Sequence, residues 1–221
     1  MPLIICPPYQ DIILDDPYKN NVSASLNFQG TPGSTYITDV NGKPYNNHGV
    51  VLSSANSKFG GTSAYFNGSS YMETPSSPEL VFDDLNWTID FWFSPNSVTN
   101  QYQEIVTKGA GLQIYMQYDK IMLALSANNT TSYFVLTPFG TLQAGSWFHI
   151  AVQKNSRVYT GFLNGVGTSL GVSSLNCDTG TSSFVVGSYL AGYYPILGYM
   201  SNLRVTKGAA RYPGDFTPPT S

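Results

Sequence analysis

The stretch from Leu112 to Leu125, Leu-Gln-Ile-Tyr-Met-Gln-Tyr-Asp-Lys-Ile-Met-Leu-Ala-Leu, decides the fold class. In its first half one face is apolar, and the intervening positions are Gln113, Tyr115 and Gln117. A period of two is typical of a β-strand whose two faces meet different surroundings. Asp119 and Lys120 then turn the chain, and Ile121–Leu125 repeats the alternation. The stretch predicts two antiparallel strands, with Leu112, Ile114, Met116 and Tyr118 on one face of the first.

Similar patterns continue along the rest of the chain. Two further segments, Trp147–Val152 and Tyr199–Val205, alternate in the same way, and Val158–Leu163 predicts another strand that runs up to Asn164-Gly165. Trp87–Phe93 is instead apolar on both faces, which predicts a central strand covered on both sides. Helical signals are confined to one turn after Ser77 and a short turn over Lys207–Arg211. About a dozen short strands predict an all-β fold with two antiparallel sheets packed as a sandwich.

Three Asn-Gly pairs stand between these segments, at Asn41-Gly42, Asn67-Gly68 and Asn164-Gly165. Asn-Gly favours the two-residue turns that join neighbouring antiparallel strands, because both residues tolerate positive φ angles. Each pair therefore predicts a β-hairpin.

Composition excludes several classes of function. Charged residues are only 10% of the chain, and no run of Lys or Arg occurs, so a nucleic-acid partner is not expected. No segment reaches the ~18 apolar residues of a membrane helix, so membrane insertion is not expected. The N-terminus lacks the basic residues of a signal peptide, so the chain is expected to fold in the cytoplasm. Cys6 and Cys177 are interpreted as thiols, in preference to a disulfide.

The chain divides into three parts. Residues 1–22 predict an extended arm, residues 23–216 one domain, and residues 217–221 a tail that leaves it. The arm alternates prolines with apolar residues that could anchor it by edge pairing on another subunit, namely Leu3, Ile4, Ile5, Ile12, Ile13 and Leu14. A frayed terminus is the equal alternative.

Catalytic patterns are missing from the sequence. A glycosidase needs two carboxyl groups that face one bond, and none of Glu73, Glu79 and Glu104 has a partner at the required spacing. Gly167–Gly171 matches the pattern of a serine-hydrolase elbow, but both histidines, His48 and His149, precede it. We therefore predict no catalytic residue and no enzymatic activity.

Tyrosines are the best candidates for contacts with a ligand or partner. Tyr189, Tyr193 and Tyr194 lie between glycines in one predicted loop, and Tyr102 lies in a second. A tyrosine ring combines an apolar face with a polar tip, which suits a sugar or a protein surface. The alternative is that these rings cap the edge of the sandwich. Asp39 is the one turn-borne acid suited to calcium, and the alternative is an ordinary turn-forming aspartate.

Five stretches, taken in order, resemble a known family. They are Ser57–Gly68, Trp87–Phe93, Trp147–Val152, Phe162–Gly165 and Gly198–Tyr212. Their order and spacing resemble the laminin G-like, concanavalin A-like lectin/glucanase jelly-roll domains over roughly residues 20–219. The closing segment, Lys207–Pro219, resembles the version common in phage and environmental bacterial surface proteins. The resemblance implies a jelly roll of two antiparallel sheets that binds glycans or proteins.

The resemblance also bears on metal binding, because many members of this family hold calcium through acidic side chains. Four positions here carry neutral side chains where the family usually has acids, and they are Gln29, Asn67, Ser201 and Asn202. Amide oxygens bring no charge to a calcium site, which weakens it. We therefore predict no cofactor and disfavour calcium.

These features together suggest a non-catalytic binding module on the surface of a phage particle, as capsid decoration or adhesion protein. The expected partners are other virion proteins, such as the major capsid or a tail protein, and a host surface glycan. A homo-oligomer or symmetric array on the particle is also expected. One alternative is a purely structural capsid cement protein that binds no glycan. Another is a tail-fibre receptor-binding domain or a glycan hydrolase.

Overall fold

The computed structural model describes residues 16–82, 85–177, 179–190 and 192–220. Fifteen strands and two 3₁₀ turns form within these residues. The turns are Lys19–Asn21 and Pro78–Leu80. The strands are β1 (Val22–Leu26), β2 (Asn46–His48), β3 (Val51–Ser53), β4 (Ser63–Asn67), β5 (Tyr71–Thr74), β6 (Trp87–Pro95), β7 (Gln103–Lys108), β8 (Leu112–Gln117), β9 (Lys120–Ser126), β10 (Tyr133–Thr141), β11 (Phe148–Asn155), β12 (Val158–Leu163), β13 (Val166–Val172), β14 (Phe184–Val186) and β15 (Leu197–Lys207).

The strands form two sheets, called sheet A and sheet B here. Sheet A has the order β13-β12-β11-β6-β15-β4-β3, and β1 adds to β15 as its eighth strand. Sheet B has the order β10-β9-β8-β7-β14-β5-β2. All of these neighbouring strands run antiparallel. The predicted all-β sandwich of two antiparallel sheets is confirmed.

The hairpin that decided the fold class lies in sheet B. Strands β8 and β9 pair from Leu112 opposite Leu125 to Gln117 opposite Lys120. The apolar face of this hairpin is buried in the core, and its residues are Leu112, Ile114, Met116, Ile121, Leu123 and Leu125. Tyr118 does not continue this face, so its predicted place was wrong. The turn falls at Tyr118 and Asp119, where Tyr118 takes a φ of 53° and stays half exposed.

Strand β6 is the central strand that the sequence predicts. It lies fourth in the seven-strand path of sheet A, and all nine of its residues are buried. Its inner face packs into the core through Ile89, Phe91 and Phe93. Its outer face is covered by the chain after β15, where the Thr88 hydroxyl donates to the Ala209 carbonyl and accepts from the Arg211 amide. The prediction of a strand covered on both sides is confirmed.

The three Asn-Gly pairs have different outcomes. Asn164-Gly165 joins β12 to β13, with φ angles of 52° and 82°, so that hairpin is confirmed. Asn67-Gly68 and Asn41-Gly42 also turn the chain, but the strands on either side of each pair belong to different sheets. Those two hairpin predictions were wrong. A local turn signal does not determine whether the next strand pairs with the last one or crosses the sandwich.

Of the two predicted helical turns, one is confirmed and one is wrong. Pro78–Leu80 forms a 3₁₀ turn with Ser77 at its N-cap, as predicted. Lys207 instead ends β15, and residues 208–211 form no helical turn, so that prediction was wrong. The backbone there is extended over β6 by its bonds to Thr88. No helix in the described part of the chain is long and apolar enough to cross a membrane.

Both ends of the described chain pack on the outer face of sheet A. The Asp16 carboxylate accepts two bonds from the Arg211 guanidinium, at 2.7 and 3.0 Å, and Val22 already begins β1. At the other end Tyr212 and Phe216 stack with ring centroids 3.7 Å apart. The domain boundaries stay predictions. Cys6 and the six apolar residues of the predicted anchor, Leu3, Ile4, Ile5, Ile12, Ile13 and Leu14, lie outside the described residues.

Candidate functional site

The outer face of sheet B carries a small apolar cluster of its own. Tyr115 projects from β8, and it packs with Met122 and Ala124 of β9 and with Tyr133 of β10. The Gln113 side-chain amide donates to the Tyr133 hydroxyl at 3.0 Å. These residues form a platform on the side of the sheet that faces away from the core.

Two of the predicted contact residues meet at the edge of this platform. The rings of Tyr102 and Tyr194 lie edge to face, with centroids 5.6 Å apart, and Tyr102 lies 6.2 Å from Tyr115. The Glu104 amide of β7 donates to the Tyr194 carbonyl at 2.8 Å, which fixes the loop against the sheet. Sequence reasoning named Tyr102 and Tyr194 in separate loops, and the fold brings them together.

The loop that carries Tyr194 folds back on itself. Tyr189 and Tyr193 exchange two backbone hydrogen bonds, at 2.7 and 2.9 Å, which close a tight turn. The buried Thr107 hydroxyl of β7 donates to the Ser188 carbonyl at 3.0 Å and fixes the start of the loop. Tyr189 is half buried, and the exposed fractions of Tyr193 and Tyr194 are 64% and 52%. We call Tyr102, Tyr115, Tyr133, Tyr189 and Tyr194 the tyrosine face.

A carboxyl group lies in the middle of the tyrosine face. Glu104 is opposite Tyr115 in the pairing of β7 with β8, and only 5% of its surface is exposed. Its Oε2 atom is buried and has no hydrogen-bond partner among the described residues. Burial raises the pKa of Glu104 to about 8, so the group is mostly protonated and uncharged at neutral pH.

The pKa values of two phenol groups of the face, Tyr115 and Tyr189, are raised as well. Burial, together with the nearby Glu104, Tyr133 and Tyr102, raises the pKa of Tyr115 to about 12. Burial is also the main cause of a raised pKa at Tyr189, with Tyr133 and Glu104 adding to it. The face therefore offers aromatic surface, hydroxyls, amides and one protonated carboxyl group, all without net charge.

A family model described as "Concanavalin A-like lectin/glucanases superfamily", of the laminin G type, matches residues 66–211. The chain belongs to this superfamily. The resemblance stated from the sequence is confirmed at this level, and each of the five motifs includes residues of a strand. No curated protein sequence matches the chain.

Solved structures share the fold of this superfamily member. Domain 4 of AbnA, a GH43 extracellular arabinanase from Geobacillus stearothermophilus solved in complex with arabinotriose, is 20% identical, with a TM-score of 0.65, covering 86% of this chain and 93% of that one. The binding domain of Paraclostridial Mosquitocidal Protein 1 is 15% identical, with a TM-score of 0.68, covering 87% of this chain and 50% of that one. Trypanosoma rangeli sialidase, in complex with sialic acid, is 11% identical, with a TM-score of 0.60, covering 85% of this chain and 31% of that one. The chain thus spans half or less of the latter two.

Asp39, the candidate calcium ligand, accepts two backbone amides with its carboxylate, as expected for the alternative of a turn-forming aspartate. Its carboxylate accepts the Ser25 amide at 2.6 Å and the Asn41 amide at 2.7 Å, and only 3% of the residue is exposed. Within the described residues no group of three or more His, Cys, Asp or Glu side chains is placed to hold a metal ion. Asp39 as a metal ligand stays a prediction.

Sequence reasoning missed Glu104 as a site residue. It was judged only by its spacing from other glutamates, as a catalytic acid would be. The signal that could have found it is its context, since Glu104 is the one acidic residue in the otherwise neutral strand segment Gln103–Thr107. Glu104 stands next to the apolar pair Ile105-Val106 within this segment, and a carboxyl group buried in such a strand marks a candidate binding site.

Proposed function

We propose that the protein is a non-catalytic carbohydrate-binding module, and that its tyrosine face holds an uncharged glycan. One observation carries the proposal: tyrosine rings gather around a buried carboxyl group whose Oε2 atom has no partner among the described residues. An unsatisfied buried polar group costs about 1–3 kcal/mol, and a ligand hydroxyl would supply its missing partner.

The chemistry of the face suits sugars in three respects. Tyr102 and Tyr194 offer aromatic edges and faces to the apolar C–H groups of a sugar ring. Gln117, whose side-chain amide lies 3.5 Å from the Tyr102 hydroxyl, adds a donor and an acceptor at the rim. Protonated Glu104 can donate to one sugar hydroxyl and accept from another. A charged ligand gains no ion pair on this surface.

The arrangement of the glutamates supports a role in binding, without catalysis. Of the three glutamates, Glu73 contacts His48 at 3.3 Å and Glu79 pairs with Lys43. Only Glu104 lies on the tyrosine face without a basic partner among the described residues. Glycoside hydrolysis usually requires two carboxyl groups that flank the same bond.

The proposal is tested by glycan binding. The intact protein is first applied to an array of neutral oligosaccharides, and the strongest hit is then titrated by calorimetry. Tyr102→Ala and Tyr194→Ala each lower the affinity about fivefold, because each removes one aromatic contact worth about 1 kcal/mol. Tyr36→Ala is the matched control, since Tyr36 lies in a loop and is 80% exposed. Absence of any binding, or an equal loss in Tyr36→Ala, contradicts the proposal.

The non-catalytic part is tested separately. The best oligosaccharide is incubated with excess protein, and new reducing ends are measured over a day. We expect none above the level of a protein-free control. Steady release of reducing ends that disappears in Glu104→Gln would identify a hydrolase instead.

We also propose that this module sits on the surface of a phage particle. The support is the similarity of Lys207–Pro219 to phage-type members and the apolar, proline-bounded segment within residues 1–14. Removing residues 1–14 keeps Asp16, and with it the ion pair to Arg211. We expect this truncated protein to fold and bind glycans, but not to co-sediment with purified particles. Truncated protein that still co-sediments overturns the anchoring role, and particle binding without glycan binding selects the cement alternative.

A further inference from the structure

The outer face of sheet A contains a pocket of about 220 Å³ that the tyrosine face does not include. Its walls include Asp90 and Trp92 of β6, His149 of β11, and Asn202 and Arg204 of β15, with Asn27 at the rim. Pro219, near the C-terminus, lines the pocket as well. Because the pocket is below the ~300 Å³ of small drug-sized sites, only a single small ring fits.

An irregularity in β15 shapes this pocket. Ser201 pairs with Trp92 and Arg204 pairs with Asp90, so β15 has one residue more than β6 between these two pairs. Asn202 takes a φ of 50°, in the left-handed region, and its residue lines the pocket. Such bulges re-aim side chains and are common next to functional sites, and Asn is among the few non-glycine residues that tolerate the left-handed region.

Two ion pairs lie around the pocket, and the Lys58 ammonium lies 3.8 Å from the centroid of the Trp92 ring. The Arg204 Nε and Nη2 atoms donate to the two Asp90 oxygens at 3.2 and 3.0 Å, and Arg211 pairs with Asp16. Burial alone would raise the pKa of Asp90, but Arg204 and His149 hold it below its ordinary value. Two acids and two guanidinium groups leave this part of the wall formally neutral.

Two polar atoms of the wall residues lack partners. The Trp92 Nε1 and His149 Nδ1 atoms are buried, and neither has a hydrogen-bond partner among the described residues. Their residues are 7% and 1% exposed, so the atoms belong to the packed wall and not to the open surface. A buried indole N–H without an acceptor is costly, and a bound hydroxyl oxygen can accept it after a small side-chain shift.

We infer that this pocket is a second binding site, and that it holds one neutral sugar ring. Asn27 and Asn202 carry amides that both donate and accept, as a polyhydroxylated ring requires. A cation in the pocket would meet Arg204, and an anion would meet Asp90, so neither charge is compensated there. The inference does not depend on the tyrosine face, which lies on the other sheet.

The test follows tryptophan indole signals by NMR in the intact, ¹⁵N-labelled protein. The chain has three tryptophans, so three indole N–H signals are expected, and Trp92→Phe assigns the one of interest. The probes are glucose, galactose, mannose, arabinose and N-acetylglucosamine, each titrated into the millimolar range. We expect at least one of them to move the Trp92 signal saturably. The Trp147 signal stays in place, because its indole N–H already donates to Asn56.

Two variants separate the two sites. Asn202→Gly suits the positive φ and removes the amide, so it weakens the response of Trp92 about tenfold, the effect of one lost hydrogen bond. Tyr102→Ala leaves this response unchanged while it weakens binding at the tyrosine face. A Trp92 signal that no probe moves shows a pocket filled by solvent only, and it overturns the inference. A Trp92 response abolished by Tyr102→Ala overturns it as well.

Discussion

The outer faces of the two sheets differ in whether their buried acidic side chains have basic partners. On sheet A, Asp90 meets Arg204 and Asp16 meets Arg211, so each of these acids has a basic partner within the chain. On sheet B, the carboxyl group of Glu104 is buried to a similar degree but has no basic partner among the described residues. Buried charges persist when they are paired, whereas an unpaired carboxyl group takes up a proton. The first face thus holds its buried acids in ion pairs, whereas the second holds a carboxyl group that the proposed function assigns to ligand binding.

The two outer faces also differ in how firmly the chain segments that cover them are attached. On sheet A the chain after β15 is tied down by two bonds between Gln153 and Tyr212, and by aromatic contacts of Phe216 with His149 and Phe162. On sheet B the cover is the short loop from Ser188 to Tyr194, which leaves Tyr193 and Tyr194 more than half exposed. The comparison therefore predicts larger stability effects on sheet A.

The largest effect is expected from breaking the buried ion pair on sheet A. Arg204→Met keeps an unbranched apolar side chain but leaves the Asp90 carboxylate buried without its main partner. Removing one partner of a buried pair costs about 3–5 kcal/mol, so the free energy of unfolding in urea falls by that amount. Lys120→Met is the matched control, because Lys120 pairs with Asp119 at the surface at 3.1 Å. Exposed pairs contribute about 1 kcal/mol or less.

Equal losses in the two variants would show that the Asp90–Arg204 pair contributes no more than a surface pair. The contrast between the faces would then lose its electrostatic basis. A large loss in Arg204→Met alone confirms it.

The second prediction concerns pH and the unpaired acid on sheet B. The pKa of Glu104 is raised from 4.5 to about 8, so the folded protein holds this proton more tightly than the unfolded chain does. The contribution of Glu104 to stability is therefore largest below the lower of these two values, and it falls as the pH rises between them. Glu104→Gln cannot ionise, so at the upper end of that range it is more stable than the parent protein by up to about 4 kcal/mol.

Urea unfolding of both proteins across this range measures the difference directly. Near pH 4.5 the two free energies of unfolding are similar, because the carboxyl group is largely protonated in the folded protein. Glu73→Gln is the control, since Glu73 is partly exposed and lies beside His48. A constant gap between Glu104→Gln and the parent protein at all pH values excludes the raised pKa.

The third prediction concerns the attachment of the C-terminal cover to sheet A. Gly165 has a φ of 82°, and a Cβ atom there would lie 1.8 Å from the Phe216 carbonyl oxygen. Gly165→Ala must therefore displace the segment that carries Phe216 and its bond to the Gly165 carbonyl. We expect a loss of about 2–3 kcal/mol, from positive-φ strain and the lost packing together.

Gly145→Ala is the matched control for this change. Gly145 has a φ of 77°, but a Cβ atom there would meet nothing within 4 Å. Gly145→Ala therefore lowers the free energy of unfolding by only about 1 kcal/mol, because of backbone strain alone. If both glycines give the same loss in thermal unfolding, the cover contributes nothing to the stability of sheet A.

Sequence periodicity could predict the sandwich but only part of the site. The alternation in Leu112–Leu125 reports burial directly, because side chains on a strand alternate between faces. The turn at Asn67-Gly68 carried the same local signal as Asn164-Gly165, yet it leads from one sheet to the other. That difference depends on how the two layers pack, which the turn residues do not encode.

The site shows the same limit. Tyr102 and Tyr194 could each be chosen for their chemistry, but their contact depends on a backbone bond between Glu104 and Tyr194 across distant segments. The bulge at Asn202 was likewise invisible, because alternation in Tyr199–Val205 suggested a regular strand. Composition identifies the residue types of a binding surface, and tertiary pairing decides which of them meet.

The smallest predicted effect concerns the hydrogen bond that attaches the loop from Ser188 to Tyr194 to sheet B. Thr107→Val removes the hydroxyl that donates to the Ser188 carbonyl at 3.0 Å, with almost no change of shape. One buried hydrogen bond contributes about 1 kcal/mol, so the free energy of unfolding falls by roughly that amount. Thr160→Val on β12 is the control, because no side-chain hydrogen bond of Thr160 is found within the described residues.

Glycan affinity falls in Thr107→Val but not in Thr160→Val, since only Thr107 fixes the loop that presents Tyr194. A stability loss without any loss of affinity would mean that the bond between Glu104 and Tyr194 alone is enough to position that ring.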